Sequence, residues 1–292
     1  MMKRFTATLG ITFLMLYVAK ANYLLLPMDN MQKNHLKAYG IAFQTLKNEG
    51  TVQCLLNYRG GSFILADNET NKQTLALTDV TFEMLTDNQT ADIVNTVLKG
   101  DKGTNLVSLS KLPKIAVYAP PYNKPDDDAV ALGLQYAGID YKTIYDRDVL
   151  RNDLNQFDWI HLHHEDFTGQ YGKFYANYHN APWYRDNQKK EEARAKRLGF
   201  NKVSQMKLAV AKRIKEFVGG GGFMFAMCSA TDTYDLALAA DGIDICESVI
   251  DGDPSDPAAQ SKLDFSKCLA FQNFTIIKDP MIYEHSSIDN NF

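Results

Sequence analysis

The stretch 219–232, GGGGFMFAMCSATD, constrains the fold more than any other part of the chain. Four glycines precede a short apolar run, which is followed by Cys228 and by residues suited to a helix. A strand that passes directly into a helix lifts the side chain at the bend clear of the sheet, beside the free N–H groups of the helix. Such a bend is crowded, and the small Ala226 and Ala230 suit it. We predict that Cys228 occupies a nucleophile elbow facing a crevice; the alternative is a buried cysteine in an ordinary turn.

Strands and helices alternate along the rest of the chain. Apolar segments at 114–119, 141–145 and 159–164 are typical of buried strands, and the apolar stripe of 203–218 predicts a helix. An apolar strand, a helix and a second strand at 52–56 predict a β-α-β unit near the start. The fold class predicted is therefore α/β, with a mostly parallel sheet flanked by helices. A strand is also predicted at 268–277.

The first 21 residues have the pattern of a signal peptide. Lys3 and Arg4 precede the uncharged run 9–19, and Ala19-Lys20-Ala21 supplies a small-x-small cleavage site before Asn22. We expect a periplasmic or secreted protein with no membrane span after cleavage; an uncleaved N-terminal anchor is the alternative. The mature chain divides into an N-terminal α/β part, 22–112, and a part with the cysteine elbow, 113–292, as separate units or as one continuous sheet.

Composition excludes some partners. The net charge of −4 provides no basic surface for nucleic acid. Besides Cys228, the cysteines are Cys54, Cys246 and Cys268, whose spacing fits neither a redox motif nor a zinc knuckle. The thiols of an exported chain can be oxidised to disulfides. A disulfide between Cys246 and Cys268 is one pairing that the sequence leaves open.

A second cluster of reactive side chains follows the strand near Trp159. His161, His163, His164 and Glu165 lie within five residues. In a parallel sheet the carboxyl ends of strands meet at one edge, so we expect this cluster within reach of Cys228. Three interpretations remain open: His163, His164 or Glu165 as acid–base partners of the thiol, a metal site that includes His161 and His163, or a structural network. No organic cofactor is predicted.

Aromatic residues with polar tips follow this cluster and suit a small-molecule, glycan or peptide ligand. Packing of a long loop is the alternative. We predict that further side chains line the same crevice. They lie beside the glycine pair 60–61, beside the proline pair 120–121 and at the elbow. The candidate ligand-binding residues are Tyr58, Arg59, Tyr122, Tyr171, Trp183 and Ser229.

The segments LPKIAVYAP, YKTIYD, FDWIHLHHEDF and GGGGFMFAMCSATD resemble the class I glutamine amidotransferase-like fold in its ThuA-like branch, a fold similar to that of flavodoxin. The phrases NHLKAYGIAF, LLNYRGGSF, HLHHEDFTGQYGKF and FAMCSATD resemble an exported Bacteroidetes family commonly named asparagine synthetase B. This second resemblance spans 22–292. It implies a family sequence that continues past residue 292, so we expect the architecture to be incomplete at its C-terminus.

The resemblance implies an amidotransferase-like hydrolase with Cys228 as nucleophile. The chain departs from the amidotransferase elbow G-x-C-x-G at Ala226 and Ala230, and its only later histidine, His285, is not in a His-x-Glu pair. The family name implies glutamine-dependent asparagine synthesis. Such synthetases have an N-terminal cysteine and a pyrophosphate loop, whereas cleavage here exposes Asn22 and no such loop is found.

Three functions therefore stand as hypotheses. The first is an exported cysteine amidohydrolase that acts on an amide or glycan-related substrate through Cys228. The second is a non-catalytic envelope protein that binds a glycan or peptide in the crevice. The third is asparagine synthesis. We expect no asparagine synthesis and little or no glutaminase activity from this chain.

Overall fold

The computed structural model describes residues 22–100, 103–121 and 128–289. The predicted signal peptide and Tyr122 lie outside these residues. The chain divides into two compact units, 1–111 and 112–292. No helix among the described residues is long and apolar enough to cross a membrane.

The N-terminal unit contains a five-stranded sheet in the order β4-β1-β3-β2-β5. Leu24, Leu26 and Phe63 form its core with apolar residues of the first helix. Its elements are β1 (Tyr23–Leu26), α1 (His35–Lys47), β2 (Val52–Leu56), β3 (Ser62–Ala66), α2 (Glu69–Ala76), β4 (Glu83–Leu85), α3 (Asp87–Lys99) and β5 (Asn105–Leu109).

The predicted β-α-β unit is present in split form, because β1 and β2 both pair antiparallel with β3 and therefore run parallel to each other, with α1 connecting them. The prediction of a mostly parallel sheet is wrong for this unit, because every neighbouring pair of its strands is antiparallel. A tight turn joins β2 to β3 and returns the chain between β1 and β2. Gly60 in this turn has φ +81°, and a Cβ there would lie 2.2 Å from the carbonyl oxygen of Met28. The glycine therefore permits the turn that places β3 in the middle of the sheet.

The C-terminal unit contains a four-stranded parallel sheet in the order β7-β6-β8-β9, flanked by helices, as predicted. Its strands are β6 (Ile115–Tyr118), β7 (Tyr141–Ile144), β8 (Trp159–Leu162) and β9 (Phe223–Ala226). Its helices are α4 (Ala129–Ala137), α5 (Asp146–Leu150), α6 (Tyr175–Tyr178), α7 (Pro182–Arg197), α8 (Val203–Gly219), α9 (Ser229–Ala239), α10 (Ser248–Asp251) and α11 (Ala259–Lys262).

Helices pack on both faces of this sheet. On one face, Ile160 and Leu162 of β8 pack with Val210 and Ile214 of α8 and with Tyr234 of α9. On the other face, residues of β6 pack with residues of α4. The two helical layers fix the carboxyl ends of the strands, where the reactive side chains lie.

The segment 268–277 is irregular and does not form the predicted strand; its one bridge joins Ile276 to Ser286. The reason is the Asp235 carboxylate, which accepts hydrogen bonds from three successive backbone N–H groups, those of Leu269, Ala270 and Phe271, each at 2.8 Å. Three consecutive N–H groups that converge on one acceptor cannot alternate as they do in a strand.

Candidate active site

Cys228 lies at the predicted strand-to-helix bend. It is the residue before α9, its thiol is exposed, and its φ and ψ are 54° and −139°. A residue with a Cβ rarely adopts a positive φ, and such strain concentrates at functional sites. The bend presents the thiol to solvent beside the first N–H groups of α9.

Backbone hydrogen bonds attach the elbow to the end of β8. The N–H of Met227 donates to the carbonyl of Leu162 at 3.1 Å, and that of Ala230 donates to the carbonyl of His163 at 3.0 Å. The small side chain of Ala230 is fully buried, which permits this approach. Cys228 and the histidine cluster therefore share one edge of the sheet, as predicted.

His163 is oriented by a carboxylate. Its Nδ1 lies 3.1 Å from Oδ2 of Asp128, the N-cap residue of α4. Burial alone would raise the pKa of Asp128, but hydrogen bonds from the N–H of Ala131 and from His163 outweigh it and lower that pKa. An ionised carboxylate only accepts hydrogen bonds, so Nδ1 of His163 carries the proton, and Nε2 is the basic nitrogen when the ring is neutral.

The thiol lies near both histidines. One ring nitrogen each of His163 and His164 and the Sγ of Cys228 all lie within 4.8 Å of one another. The rings of the two histidines stack with centroids 3.5 Å apart. Burial and the neighbouring His163 lower the pKa of His164, which keeps that ring neutral. The order carboxylate, imidazole, thiol is the arrangement that activates a cysteine nucleophile.

Glu165 lies in a different environment. Its Oε2 accepts a hydrogen bond from the hydroxyl of Tyr145 at 3.1 Å. Burial raises the pKa of Glu165 to about 7, with further contributions from Glu191 and Asp146 that the cation of Lys207 opposes. A carboxyl group with this pKa can give or take a proton near neutrality.

Lys207 is the more deeply buried of two cations in this network; the other is Arg194, whose Nη1 lies 3.5 Å from Oδ2 of Asp146. The Nζ of Lys207 donates to Oδ1 of Asp146 at 3.0 Å and to the hydroxyl of Tyr145 at 2.9 Å. Burial alone would lower the pKa of Lys207, but the carboxylates of Asp146, Glu191 and Glu165 outweigh it and raise that pKa. The lysine therefore stays charged and neutralises acids that would otherwise repel one another.

A cavity of about 400 Å³ opens beside this network. Its lining includes His164 and Glu165, together with the aromatic side chains of Tyr171, Phe174 and Trp183. Tyr171 is buried, and Trp183 is half exposed. This volume is sufficient for a small ligand. His164 lines the cavity and also lies beside Cys228, so it connects the two.

His285 is buried between two carboxylates. Its Nε2 lies 3.5 Å from Oδ2 of Asp166, and its Nδ1 lies 3.6 Å from Oδ2 of Asp232. Burial alone would lower the pKa of His285, but the two carboxylates outweigh it and raise that pKa to about 9. The ring thus holds the segment near residue 285 against the start of α9 as a cation.

The remaining predicted residues belong to both units. Ser229 is the first residue of α9. Tyr58 and Arg59 belong to the N-terminal unit, where Arg59 forms ion pairs at 2.7 Å with Asp29 and Glu83. The proposed Cys246–Cys268 disulfide is absent, because both thiols are free: Sγ of Cys246 lies 3.5 Å from the carbonyl oxygen of Thr168, and Sγ of Cys268 lies 3.4 Å from that of Asp235.

Sequence reasoning overlooked Asp128 and Lys207. Asp128 ends the run Asp126-Asp127-Asp128, which indicates a helix start but does not show that its last carboxylate also contacts a histidine. Lys207 lies on the buried face of α8. Its position among the apolar residues of that helix indicates a buried cation. The chain matches no family model, no curated protein and no solved structure.

Proposed function

We propose that the C-terminal unit is a cysteine-dependent hydrolase of carboxylic acyl bonds, with Cys228 as nucleophile, His163 as base and Asp128 as the group that orients the base. The observation that carries this proposal is the placement of an exposed, strained cysteine beside a histidine whose other nitrogen is held by a carboxylate. The Sγ of Cys228 and a ring nitrogen of His163 lie within 4.8 Å of each other, so a small movement would bring them to hydrogen-bond distance. Catalytic hydrogen bonds are often longer in a free enzyme than in its complexes.

The proposed reaction has two steps. Nε2 of His163 takes the thiol proton, and the thiolate attacks the acyl carbon and forms a thioester as the bond to the leaving amine or alcohol breaks. His163 gives its proton to that leaving group, and water, deprotonated by the same nitrogen, then hydrolyses the thioester. The backbone N–H of Ser229, at the start of α9, is suited to stabilise the oxyanion of each step.

The cavity beside His164 is the proposed substrate pocket. Aromatic rings on its wall suit an apolar or sugar ring, and Glu165 supplies a titratable group near neutrality. An elbow that follows the last strand of a parallel sheet also supports a relation to the amidotransferase-like fold. Alanines in place of the elbow glycines favour a substrate other than glutamine.

Hydrolysis of p-nitrophenyl esters of short carboxylic acids tests the proposal. We expect wild type to turn over an ester and to form a covalent acyl adduct on Cys228 that intact-protein mass spectrometry detects. Cys228→Ala should abolish both, and His163→Gln should lower turnover at least ~100-fold. Cys268→Ala is the matched control, because Cys268 is another free thiol of the same unit. Ester turnover that survives in Cys228→Ala would contradict the proposal.

A second candidate function is non-catalytic binding of a glycan or peptide. The observation that favours it is that Cys228 is not among the described residues that line the cavity. This function predicts that a ligand quenches the fluorescence of Trp183 equally in wild type and in Cys228→Ala, with no acyl adduct on any thiol.

A further inference from the structure

His161 is a buried histidine that the proposed hydrolase does not use. It lies in β8 between Val117 of β6 and Phe225 of β9, and its exposure is 1%. Neither of its ring nitrogens has a hydrogen-bond partner among the residues that the structure describes. A buried polar group left without a partner costs roughly 1–3 kcal/mol, so its presence calls for a physical explanation.

Two metal-ligating side chains lie next to this ring. One carboxylate oxygen of Asp128 and one ring nitrogen each of His161 and His163 all lie within 4.8 Å of one another. Ligand atoms around one zinc ion stand roughly 3–3.5 Å apart, so small side-chain rotations bring the three to coordination distance. The ring of His161 also stacks on Phe225, with centroids 5.9 Å apart, which limits its rotation.

Two of the three groups already have the protonation state that binds a cation, and the proton that His163 donates to Asp128 would leave when the ion binds. Burial lowers the pKa of His161, and neutral imidazole is the form that binds metals. The Asp128 carboxylate is ionised at neutral pH because its pKa is lowered by the N–H of Ala131 and by His163. Two imidazole nitrogens and one carboxylate oxygen are typical ligands of zinc and of iron(II), whereas magnesium and calcium prefer sites made of oxygen alone.

We propose that Asp128, His161 and His163 bind one divalent transition-metal ion, for which zinc is the reference, with further coordination positions open to water or a ligand. A bound ion would give the buried ring of His161 the polar partner that it otherwise lacks among the described residues. It does not depend on Cys228 being a nucleophile. The ion would occupy the carboxylate and imidazole of the proposed hydrolase, so the metal-bound form would lack the base and hydrolyse acyl bonds more slowly.

A competing ligand set shares His163 with this one. It consists of His163, His164 and Cys228, whose ligand atoms also lie within 4.8 Å of one another. Both His164 and Cys228 are exposed, so neither needs a metal to offset the cost of burial. Cobalt(II) distinguishes the two sets, because a thiolate ligand adds an intense charge-transfer band in the near ultraviolet and nitrogen and oxygen ligands do not.

The test is titration of the chelator-treated full chain with zinc, followed by calorimetry, and with cobalt, followed by absorption. We expect one ion per chain in wild type and in Cys228→Ala, without a thiolate band. Loss of a residue that merely supports a ligand weakens binding ~10–100-fold, so His161→Phe should weaken it at least ~100-fold. His179→Gln, which changes an exposed histidine of the same unit, should bind as wild type does.

Three results would overturn the metal site: no stoichiometric binding by wild type, undiminished binding by His161→Phe, or a cobalt thiolate band that Cys228→Ala removes. Asp128→Asn is a second variant, which should also weaken binding and leaves the sheet residues unchanged. Circular dichroism checks that each variant is folded. Wild type that binds one ion per chain but shows no esterase activity in its metal-free form would count against the hydrolase alone, so the two proposals fail separately.

Discussion

Replacement of His285 by glutamine should remove a pH-dependent part of the stability of the C-terminal unit. The folded-state pKa of His285 is raised from 6.5 to about 9 by Asp166 and Asp232. A tenfold change in proton affinity corresponds to ~1.4 kcal/mol, so the proton on His285 stabilises the folded state by ~3 kcal/mol at low pH. A raised pKa means that this stabilisation is complete below pH 6.5 and is lost as pH rises through 9.

From the linkage relation, protonation of His285 stabilises the folded state by ~3 kcal/mol at pH 6.5 and by ~1.5 kcal/mol at pH 8. The difference in unfolding free energy between wild type and His285→Gln should therefore shrink by ~1.5 kcal/mol over this interval. Glu165 and Lys173, whose pKa values are about 7 and about 8, also titrate in this range. Both groups are present in both proteins, so the contribution of Glu165 cancels in the difference; that of Lys173 cancels in part, because Lys173 and His285 share the carboxylates of Asp166 and Asp232.

Urea unfolding followed by tryptophan fluorescence is the assay, because both tryptophans, Trp159 and Trp183, belong to the C-terminal unit. His179→Gln is the control and should follow the wild-type pH profile, since His179 is exposed. A wild-type minus His285→Gln difference that stays constant from pH 6.5 to pH 8 would refute the reasoning that His285 is a buried cation.

Two further predictions concern the same unit. Lys207→Met should lower its unfolding free energy by up to ~3–5 kcal/mol, because the buried carboxylate of Asp146 loses the nearer of its two cations and keeps only Arg194, at 3.5 Å. Lys212→Met, which breaks an exposed ion pair, should cost less than ~1 kcal/mol, and equal losses would contradict the assignment. Gly169→Ala should destabilise the unit more than Gly242→Ala. Both glycines have a positive φ, but only a Cβ at Gly169 would meet backbone, 2.6 Å from the nitrogen of Ser204. Urea midpoints that shift equally in the two variants would contradict this.

The sequence predicted the elements that local chemistry determines. Four glycines, an apolar run and small residues around Cys228 sufficed for the strand-to-helix bend. The carboxyl-edge rule for parallel sheets placed the cluster at 161–165 on the same side as the thiol. The α/β class and the parallel sheet of the C-terminal unit followed from the alternation of strands and helices.

Long-range contacts account for what the sequence did not predict. The strand order of the N-terminal sheet depends on the return of β3 between β1 and β2. An apolar run does not show whether a buried strand pairs with parallel or antiparallel neighbours. The irregular path after residue 268 depends on Asp235, 34 residues before Leu269. Asp128 meets His163 only because α4 starts beside the end of β8, a contact between residues 35 positions apart.

The most direct test of the proposed function is the alkylation rate of Cys228 by iodoacetamide at pH 6–7, resolved by peptide mass spectrometry. A thiol whose proton is taken by an oriented imidazole reacts faster than an isolated thiol. We expect Cys228 in wild type to react at least ~10-fold faster than in His163→Gln or Asp128→Asn, and faster than the free thiol of Cys54 in the same sample. Equal rates for Cys228 in wild type and in both variants would contradict the assignment of His163 and Asp128 to its activation.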